Sequence, residues 1–426
     1  MSRAGSLFTV TFAGCLGPPP VEYGPIVPVA VARLSHAFGY DSLAVLATGR
    51  SLTIASTVLV CALIFGLARS NGVSGGSSVI AALAFMASPL VQHWGFVYRV
   101  DMPALAFDLA GLLAFQGGLG PVAILLFAAA FFTKQNAFAG IGTVALWLVL
   151  KGDFRRATTF VIGWALVIGA CVATLTVIFP FYWLNTFTVL APYYDFTAPV
   201  EFLYHNVLFN AALFGLAAWG LYQLGMNSGG CFFLIALLGN LLSSLSWGSA
   251  FYYFLPTIAA ASILSGSALD SLFDRAPASP SLATMLGVGS AAALSANVIL
   301  AGFSGDAALI SKHLLRLKDS GPIAVDRCPG GWDPHSLSIL RATPGVIVTD
   351  NEELALVDPQ PNVQFIELMM MNSMVAKRVS MTRELLGLIR QRRIAAFALN
   401  FDGLDSRYRG RYVFWPELRS AIADNY

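Results

Sequence analysis

The sequence predicts a polytopic α-helical membrane protein with about 10–11 transmembrane helices and a small C-terminal α/β domain. Hydrophobic residues occupy 57% of the 426 positions and charged residues 11%, whereas a soluble domain carries about 25% charged residues. The mean hydropathy is +0.70. The charges are also unevenly spread, because 19 of the 48 lie in the first 305 positions and 29 in the last 121. We therefore predict a multi-span membrane domain over 1–304 and a soluble domain over 305–426.

The net charge and the cysteines argue against two classes of protein. A net charge of +2 without a block of Lys or Arg argues against nucleic-acid binding. Four of the five cysteines lie in apolar runs, which argues against a disulfide framework or a thiolate metal site. The His, Asp and Glu residues show no recognisable ligand spacing. We therefore predict no metal site and no cofactor.

The apolar segments predict the membrane helices. A stretch of about 20 apolar residues crosses the hydrocarbon core, and it must be helical because unpaired backbone groups are too costly in lipid. Residues 24–38 carry Arg33 and His36 among apolar residues, which indicates an amphipathic helix lying in the outer interface. The candidate spans are roughly 43–68, 76–92, 101–118, 120–133, 135–150, 158–180, 206–224, 230–246, 250–268 and 283–303.

The basic residues between these spans predict the orientation. Arg69, the segment 151–156 and Arg275 carry the basic residues of three short loops. Cytoplasmic loops are enriched in Lys and Arg, and the spans alternate without contradiction if all three loops are cytoplasmic. This arrangement places four segments on the outer side: 93–100, the join near Lys134, 181–205 and the C-terminal domain.

The last 121 residues predict a small α/β module. Pro344–Thr349 and Ile394–Leu399 are short β-type runs bounded by turn or charged residues. Met381–Arg393 lies between them and places apolar residues at helical spacing, with charged residues opposite. No phosphate loop or nucleophile elbow is present, so a lid or packing domain on the outer face is the simplest interpretation.

Ionisable residues inside the predicted membrane domain are the candidates for chemistry, because a charge at a helix centre costs about 2.5–3.5 kcal/mol. Arg99 and Asp101 begin one predicted helix, where an Asp is also a good helix cap. Lys134 lies between two apolar segments and either neutralises a phosphate or extends to the interface. Asp108 lies two helical turns after Asp101 and either pairs with a neighbouring span or lines a polar cavity.

Short motifs spread over residues 21–426 resemble those of the bacterial GT-C membrane glycosyltransferases, a group related to the protein O-mannosyltransferases and the lipid A aminoarabinose transferases. Each motif alone is short, and the resemblance rests on their order and spacing. The motifs are Tyr23-Gly24-Pro25-Ile26-Val27-Pro28, Gly49-Arg50, Arg99-Val100-Asp101, Thr133-Lys134-Gln135, Tyr253-Phe254-Leu255-Pro256 and the tail that begins at Trp415-Pro416-Glu417.

This resemblance implies a GT-C-like enzyme of the bacterial inner (plasma) membrane with an extracytoplasmic C-terminal domain. It implies inverting transfer of a sugar from a polyprenyl-phosphate donor to a lipid, glycan or protein acceptor on the outer face, among membrane lipids. The family uses a carboxylate as general base, for which Asp101 and Glu22 are the candidates. The substrate-binding residues that it implies are Arg99, Lys134, Gln135, Tyr23 and Tyr253.

The N-terminal segment departs from the family pattern. The family's first-loop acid normally follows a complete first span, whereas Glu22 is the sole carboxylate before Tyr23 here. We expect a truncated start; the alternatives are that Glu22 substitutes or that the chain is inactive. A non-catalytic family member and a transporter or flippase are therefore the competing functions, although no internal repeat of the transporter kind is visible. Some relatives bind a divalent cation and others do not.

Overall fold

The protein is a bundle of membrane helices with a small sheet near its C-terminus. The computed structural model describes residues 24–37, 42–179, 182–183, 186–187, 196–245, 251–275, 342, 346–349, 363–365, 386–398 and 416–424. Its membrane helices are α1 (Ile26–His36), α2 (Ser42–Ser70), α3 (Gly75–Ala87), α4 (Pro89–Trp94), α5 (Asp101–Gln116), α6 (Gly120–Thr133), α7 (Ala139–Leu150), α8 (Phe154–Ile178), α9 (Ala198–Phe209), α10 (Ala211–Leu224), α11 (Ser228–Ser244) and α12 (Leu255–Arg275).

The predicted polytopic helical fold is confirmed. Nine of the ten predicted spans fall on these helices, and the tenth, 283–303, lies outside the described residues. Five further apolar helices of the described part, with 10–17 residues, are shorter than a usual span. The described helices that are long and apolar enough to cross a membrane include Ala44–Ser70, Phe154–Ile178 and Phe251–Phe273, and a pair bent by 93°, Pro199–Phe209 with Ala211–Leu224, forms a fourth if it is counted as one span.

The predicted span 76–92 is broken at Ser88. This residue is extended, with ψ at 129°, and it separates α3 from α4. The cause is Pro89, because a proline disfavours the helical conformation of the residue before it. The predicted segment is therefore helical, but it forms two helices and not one continuous span.

The predicted span 206–224 is also broken, at Asn210. The backbone leaves the helical region there, with φ at −124° and ψ at 30°. The Asn210 side chain donates a hydrogen bond to the carbonyl oxygen of Asn206 over 3.0 Å. Asparagine competes with the helix ladder through such local bonds, which explains the sharp bend between α9 and α10.

Glycines let the central helices approach closely. Helix α5 packs against α2, α6 and α7, while α12 packs against α3, α10 and α11. The ring of Phe127 fills the space beside Gly111 and Gly140, where a Cβ atom would collide with it. Gly220 on α10 touches the backbone carbonyl of Leu264 on α12 in the same way. Small residues at helix contacts are the usual means of close packing in membranes.

The basic residues that were predicted to lie in three short loops are found at one end of the bundle. Ser228 at the start of α11 donates to the side chain of Asn71 over 2.7 Å, and Gln116 at the end of α5 donates to Ser228 over 2.8 Å. The Asp270 carboxylate accepts the backbone N–H of Ser74 over 3.1 Å. Arg69 lies on α2 just before this network, and Arg275 lies on α12 just after Asp270. The 151–156 turn is joined to the network by a contact between Arg156 and Phe115. We therefore call this end of the bundle the basic end.

The described C-terminal residues contain a three-stranded parallel sheet. Its strands are β1 (Val346–Thr349), β2 (Val363–Phe365) and β3 (Ile394–Ala398), in the spatial order β2-β1-β3. The runs that end at Thr349 and Leu399 were predicted as strands, and β2 was missed because three residues are too few for an alternating pattern. A helical turn over 386–390 buries Leu386 and Ile389, as predicted. Helix α13 (Pro416–Ala423) follows.

The shared basic end gives a topology prediction. In a background without the five native cysteines, Lys151→Cys at the basic end and Phe96→Cys at the opposite end should be labelled from opposite sides of the membrane. Both positions are exposed. If the basic end is cytoplasmic, a membrane-impermeant maleimide reacts with Phe96→Cys in intact cells and with Lys151→Cys only after lysis. Labelling of both from the same side would contradict the fold.

The close contact between α10 and α12 gives a stability prediction. Gly220→Ala should destabilise the protein by about 1–3 kcal/mol, because the added methyl group collides with the Leu264 carbonyl. Gly215→Ala is the matched control on the same helix, since no atom lies within 4 Å of its Cβ position. Unfolding in detergent measures both variants. Equal stabilities of the two would show that α10 and α12 do not touch at Gly220.

Candidate functional site

Two cations and one carboxylate meet at the end of the bundle opposite the basic end. The Arg99 Nε atom lies 3.1 Å from Asp101 Oδ2, and the Lys134 Nζ atom lies 2.5 Å from Asp101 Oδ1. Arg99 precedes α5, Asp101 is its first residue, and Lys134 follows α6. The structure thus brings together three side chains that lie up to 35 positions apart in the sequence.

This cluster is buried and carries an excess of positive charge. The side chains of Asp101 and Lys134 are 4% and 10% exposed, and that of Arg99 is 25% exposed. Charges removed from water are tolerated only when they are paired and hydrogen-bonded. The three side chains carry two positive charges and one negative charge, and both cations contact the single carboxylate.

The structure shows which contacts Asp101 and Lys134 make. Helix α5 has no side-chain hydrogen bond at its N-cap, Val100, and the Asp101 carboxylate contacts the two cations. Lys134 does not extend to the interface, because it is buried against Asp101. Both residues therefore belong to one ion cluster.

Aromatic rings surround the two cations. The Arg99 guanidinium lies 4.1 Å from the ring centroid of Tyr252 and 5.0 Å from that of Trp94. The Lys134 ammonium lies 4.2 Å from the ring centroid of Tyr253 and 4.9 Å from that of Tyr252. A cation over an aromatic face gains about 0.5–2 kcal/mol, so the rings stabilise both cations. Tyr252 and Tyr253 lie in a 3-10 turn, Phe251–Phe254, before α12.

Helix α2 holds the loop that carries Arg99. The Thr57 hydroxyl donates to the carbonyl oxygen of Gly95 over 2.9 Å, and the Thr53 hydroxyl donates to that of Arg99 over 3.3 Å. One turn earlier, Gly49 leaves room for the ring of Tyr98, which a Cβ atom would meet. Residues four apart share a helix face, so one stripe of α2 fixes the backbone around Arg99.

The position of Lys134 is fixed by the end of α6. Its backbone N–H donates to the carbonyl oxygen of Ala130 over 2.8 Å, and its φ of −149° and ψ of 119° end the helix. Gly24 is buried directly against the carbonyl of Phe132, where no side chain would fit. The glycine of the Tyr-Gly-Pro motif thus lies two residues from the lysine of the Thr-Lys-Gln motif along the path of α6.

A pocket opens beside the cluster. Its volume is about 30 Å³, room for a few water molecules, so a larger ligand requires the lining side chains to move apart. Its lining includes Asp101 and Lys134 of the cluster, the two tyrosines of the 3-10 turn, and the polar residues Asp108, Asn136 and Asn240.

Asp108 is a second buried carboxylate in this pocket. Both of its oxygens accept the backbone N–H of Gly140, over 3.0 and 2.9 Å, near the start of α7. Both alternatives from the sequence therefore hold, since Asp108 pairs with a neighbouring helix and lines a polar cavity. A helix-capping bond contributes about 1 kcal/mol, whereas a charge inside a membrane costs about 2.5–3.5 kcal/mol. Capping alone does not explain a carboxylate here.

The structure places five of the seven predicted site residues. Arg99, Asp101, Lys134 and Tyr253 come together, while Gln135 lies partly exposed beside Lys134 and its neighbour Asn136 lines the pocket instead. The other two, Glu22 and Tyr23, lie outside the described residues, so their roles stay predictions.

Sequence reasoning missed several residues of this site. Tyr252 and Trp94 were not among the predicted site residues, although both lie in segments that carry predicted ones. Thr53 and Asn240 lie inside apolar helices, where a lone polar residue more often bonds its own backbone. A usable signal existed only for Tyr252, which adjoins Tyr253 in the motif. Within the described ranges, no three His, Cys, Asp or Glu residues form a group that could hold a metal ion.

Comparisons with known proteins give a fold. No protein-family model and no curated protein sequence matches the chain. A crystal structure of ArnT from Cupriavidus metallidurans bound to undecaprenyl phosphate matches with a TM-score of 0.54 and 16% identity, over 85% of this chain and 82% of that one. The same protein in the apo state matches with a TM-score of 0.59 and 13% identity, over 91% and 84%. The chain therefore has the GT-C-like membrane fold of these ArnT structures.

Proposed function

We propose that this protein is an integral-membrane glycosyltransferase that moves a sugar from a polyprenyl-phosphate donor to a cell-envelope acceptor. The observation that carries the proposal is the buried Arg99–Asp101–Lys134 cluster, which holds two cations beside each other at one end of the bundle. The phosphodiester of such a donor carries one negative charge and is linked to a hydrophobic polyprenyl chain. It therefore suits a cationic site at the end of a membrane bundle.

The chemistry of transfer makes use of two cations. As the bond between the anomeric carbon and the phosphate oxygen breaks, the lipid phosphate gains negative charge, and preorganised cations stabilise it. The acceptor hydroxyl attacks the anomeric carbon from the opposite face, which inverts its configuration. The hydroxyl proton passes to a general base, and the lipid phosphate leaves with the bonding electrons. Arg99 and Lys134 are the proposed phosphate ligands.

The proton acceptor is proposed to be one of two carboxylates. Glu22 and Asp101 are the candidates, and the contacts of Asp101 suggest a different main role for it. Both of its oxygens are engaged by the cations, so Asp101 orients Arg99 and Lys134 toward the phosphate. A base must reach the acceptor hydroxyl, which an Asp101 held in this way does only if one contact opens.

The comparison structures add support from outside the chain. One ArnT structure is described as bound to undecaprenyl phosphate, a polyprenyl phosphate of the class proposed here. The acceptor, whether lipid, glycan or protein, and the orientation in an inner membrane are parts of the proposal that rest on the sequence. Transport of the lipid without transfer and a non-catalytic binding role are the competing functions.

Transfer from the lipid-linked donor tests the proposal. Membranes that contain the protein should move radiolabelled sugar from a suitable polyprenyl-phosphate sugar, and Lys134→Met should lower the rate about 10²–10³-fold. Lys151→Met is the matched control, because Lys151 also stacks on an aromatic ring, Trp147, at 3.9 Å, but at the basic end. Scintillation counting of the acceptor fraction measures both.

The outcomes separate the competing functions. An equal fall in the transfer rate of both lysine variants would show that Lys134 has no specific role in transfer. Flipping of the donor across vesicles without transfer would establish a transporter instead. Binding of the lipid without either activity would indicate a non-catalytic member.

The two carboxylates give a further prediction. Asp101→Asn should raise KM for the donor and lower kcat, because the cations lose the group that orients them. Glu22→Gln should lower kcat with KM unchanged if Glu22 is the base. Steady-state transfer at several donor concentrations measures both parameters. A fall in kcat alone for Asp101→Asn would instead make Asp101 the base.

A further inference from the structure

We infer that the pocket beside the cation cluster is the donor-sugar subsite and that Asp108 binds the sugar by accepting hydrogen bonds from its hydroxyl groups. The inference rests on the proposed function, and it names the part of the site that selects the sugar. It concerns three polar residues that line the pocket, Asp108, Asn136 and Asn240, which we call the polar floor.

The spacing of the two carboxylates along α5 leaves room for a phosphate near Asp101 and a sugar between Asp101 and Asp108. Asp108 follows Asp101 by seven residues, about 10 Å along the helix axis, and two turns return it to the same face. Asp101 and Asp108 line the same pocket. A phosphate bound by Arg99 and Lys134 would thus place its sugar between the two carboxylates.

Asp108 has acceptor capacity beyond its bond to the protein. A carboxylate offers about four lone-pair positions, and among the described residues its two oxygens share a single donor, the N–H of Gly140. Asn240 is held in place by donating to the Thr257 hydroxyl over 2.6 Å. A sugar hydroxyl is a neutral hydrogen-bond donor, and the oxygens of Asp108 and Asn240 can accept its hydrogen bond.

The lining of the pocket includes three aromatic rings beside small and aliphatic residues. Tyr252, Tyr253 and Phe138 line it together with the polar floor. Small-molecule sites commonly combine apolar and aromatic walls with a few fixed polar groups. Rings can cover the C–H faces of a sugar while its hydroxyl groups point to the floor. The rings of the two tyrosines must move apart to admit it, since the pocket is small.

The alternative is that Asp108 only caps α7. An amide at this position would still accept the Gly140 N–H, and it would keep the size of the side chain. Asp108→Asn therefore separates capping from sugar binding. Asp153→Asn is the matched control, because Asp153 accepts the N–H of Arg156 over 3.1 Å at the start of α8, exposed at the basic end.

The experiment compares two ligands on the whole 426-residue chain. Asp108→Asn should lower kcat/KM for the sugar-bearing donor about 10- to 100-fold and leave the Kd of sugar-free undecaprenyl phosphate unchanged. Asp153→Asn should change neither value. Equal weakening of both ligands by Asp108→Asn, or no change in either, would overturn the inference.

A donor series gives a second readout that a purely structural role would not move. For each deoxy analogue of the donor sugar, the loss from removing one hydroxyl is measured in the wild type and in Asp108→Asn. The hydroxyl that contacts Asp108 should give a large loss in the wild type and a much smaller one in the variant, since coupled groups are non-additive. Additive losses for every hydroxyl would overturn the inference. Absence of transfer by the wild type would instead count against the proposed function.

Discussion

The burial of Asp101 between Arg99 and Lys134 is the interaction on which the rest of this structure depends. Inside a membrane bundle a lone carboxylate or ammonium is expensive, so each of these side chains needs the others in place. Their pairing joins the start of α5 to the end of α6. It also places two cations side by side at one end of the bundle, and these are the groups that we propose contact a lipid phosphate.

The surrounding helices serve this constraint by close packing. Gly24 and Gly49 let backbone and ring approach the two segments that carry the cations. Thr53 and Thr57 tie the loop before α5 to α2. The aromatic turn at Tyr252 and Tyr253 covers the cations from the side of α12. The contacts that pack these helices together therefore also position the charged side chains of the site.

The sequence was sufficient for the helices and for the charged residues of the site. Ionisable residues in apolar surroundings stand out, so Arg99, Asp101 and Lys134 could be predicted, and the order of short motifs predicted the fold. The breaks at Ser88 and Asn210 were missed because hydropathy does not respond to a single proline or asparagine. Trp94 and Tyr252 were not among the predicted site residues. Their contacts depend on tertiary packing, which no local pattern records.

The most direct test of the central claim is a structure of the protein with bound undecaprenyl phosphate. The account predicts that the phosphate contacts both the Arg99 guanidinium and the Lys134 ammonium, with its hydrocarbon chain leaving toward the membrane. A phosphate bound elsewhere, with the Arg99–Asp101–Lys134 cluster unchanged and closed, would contradict it.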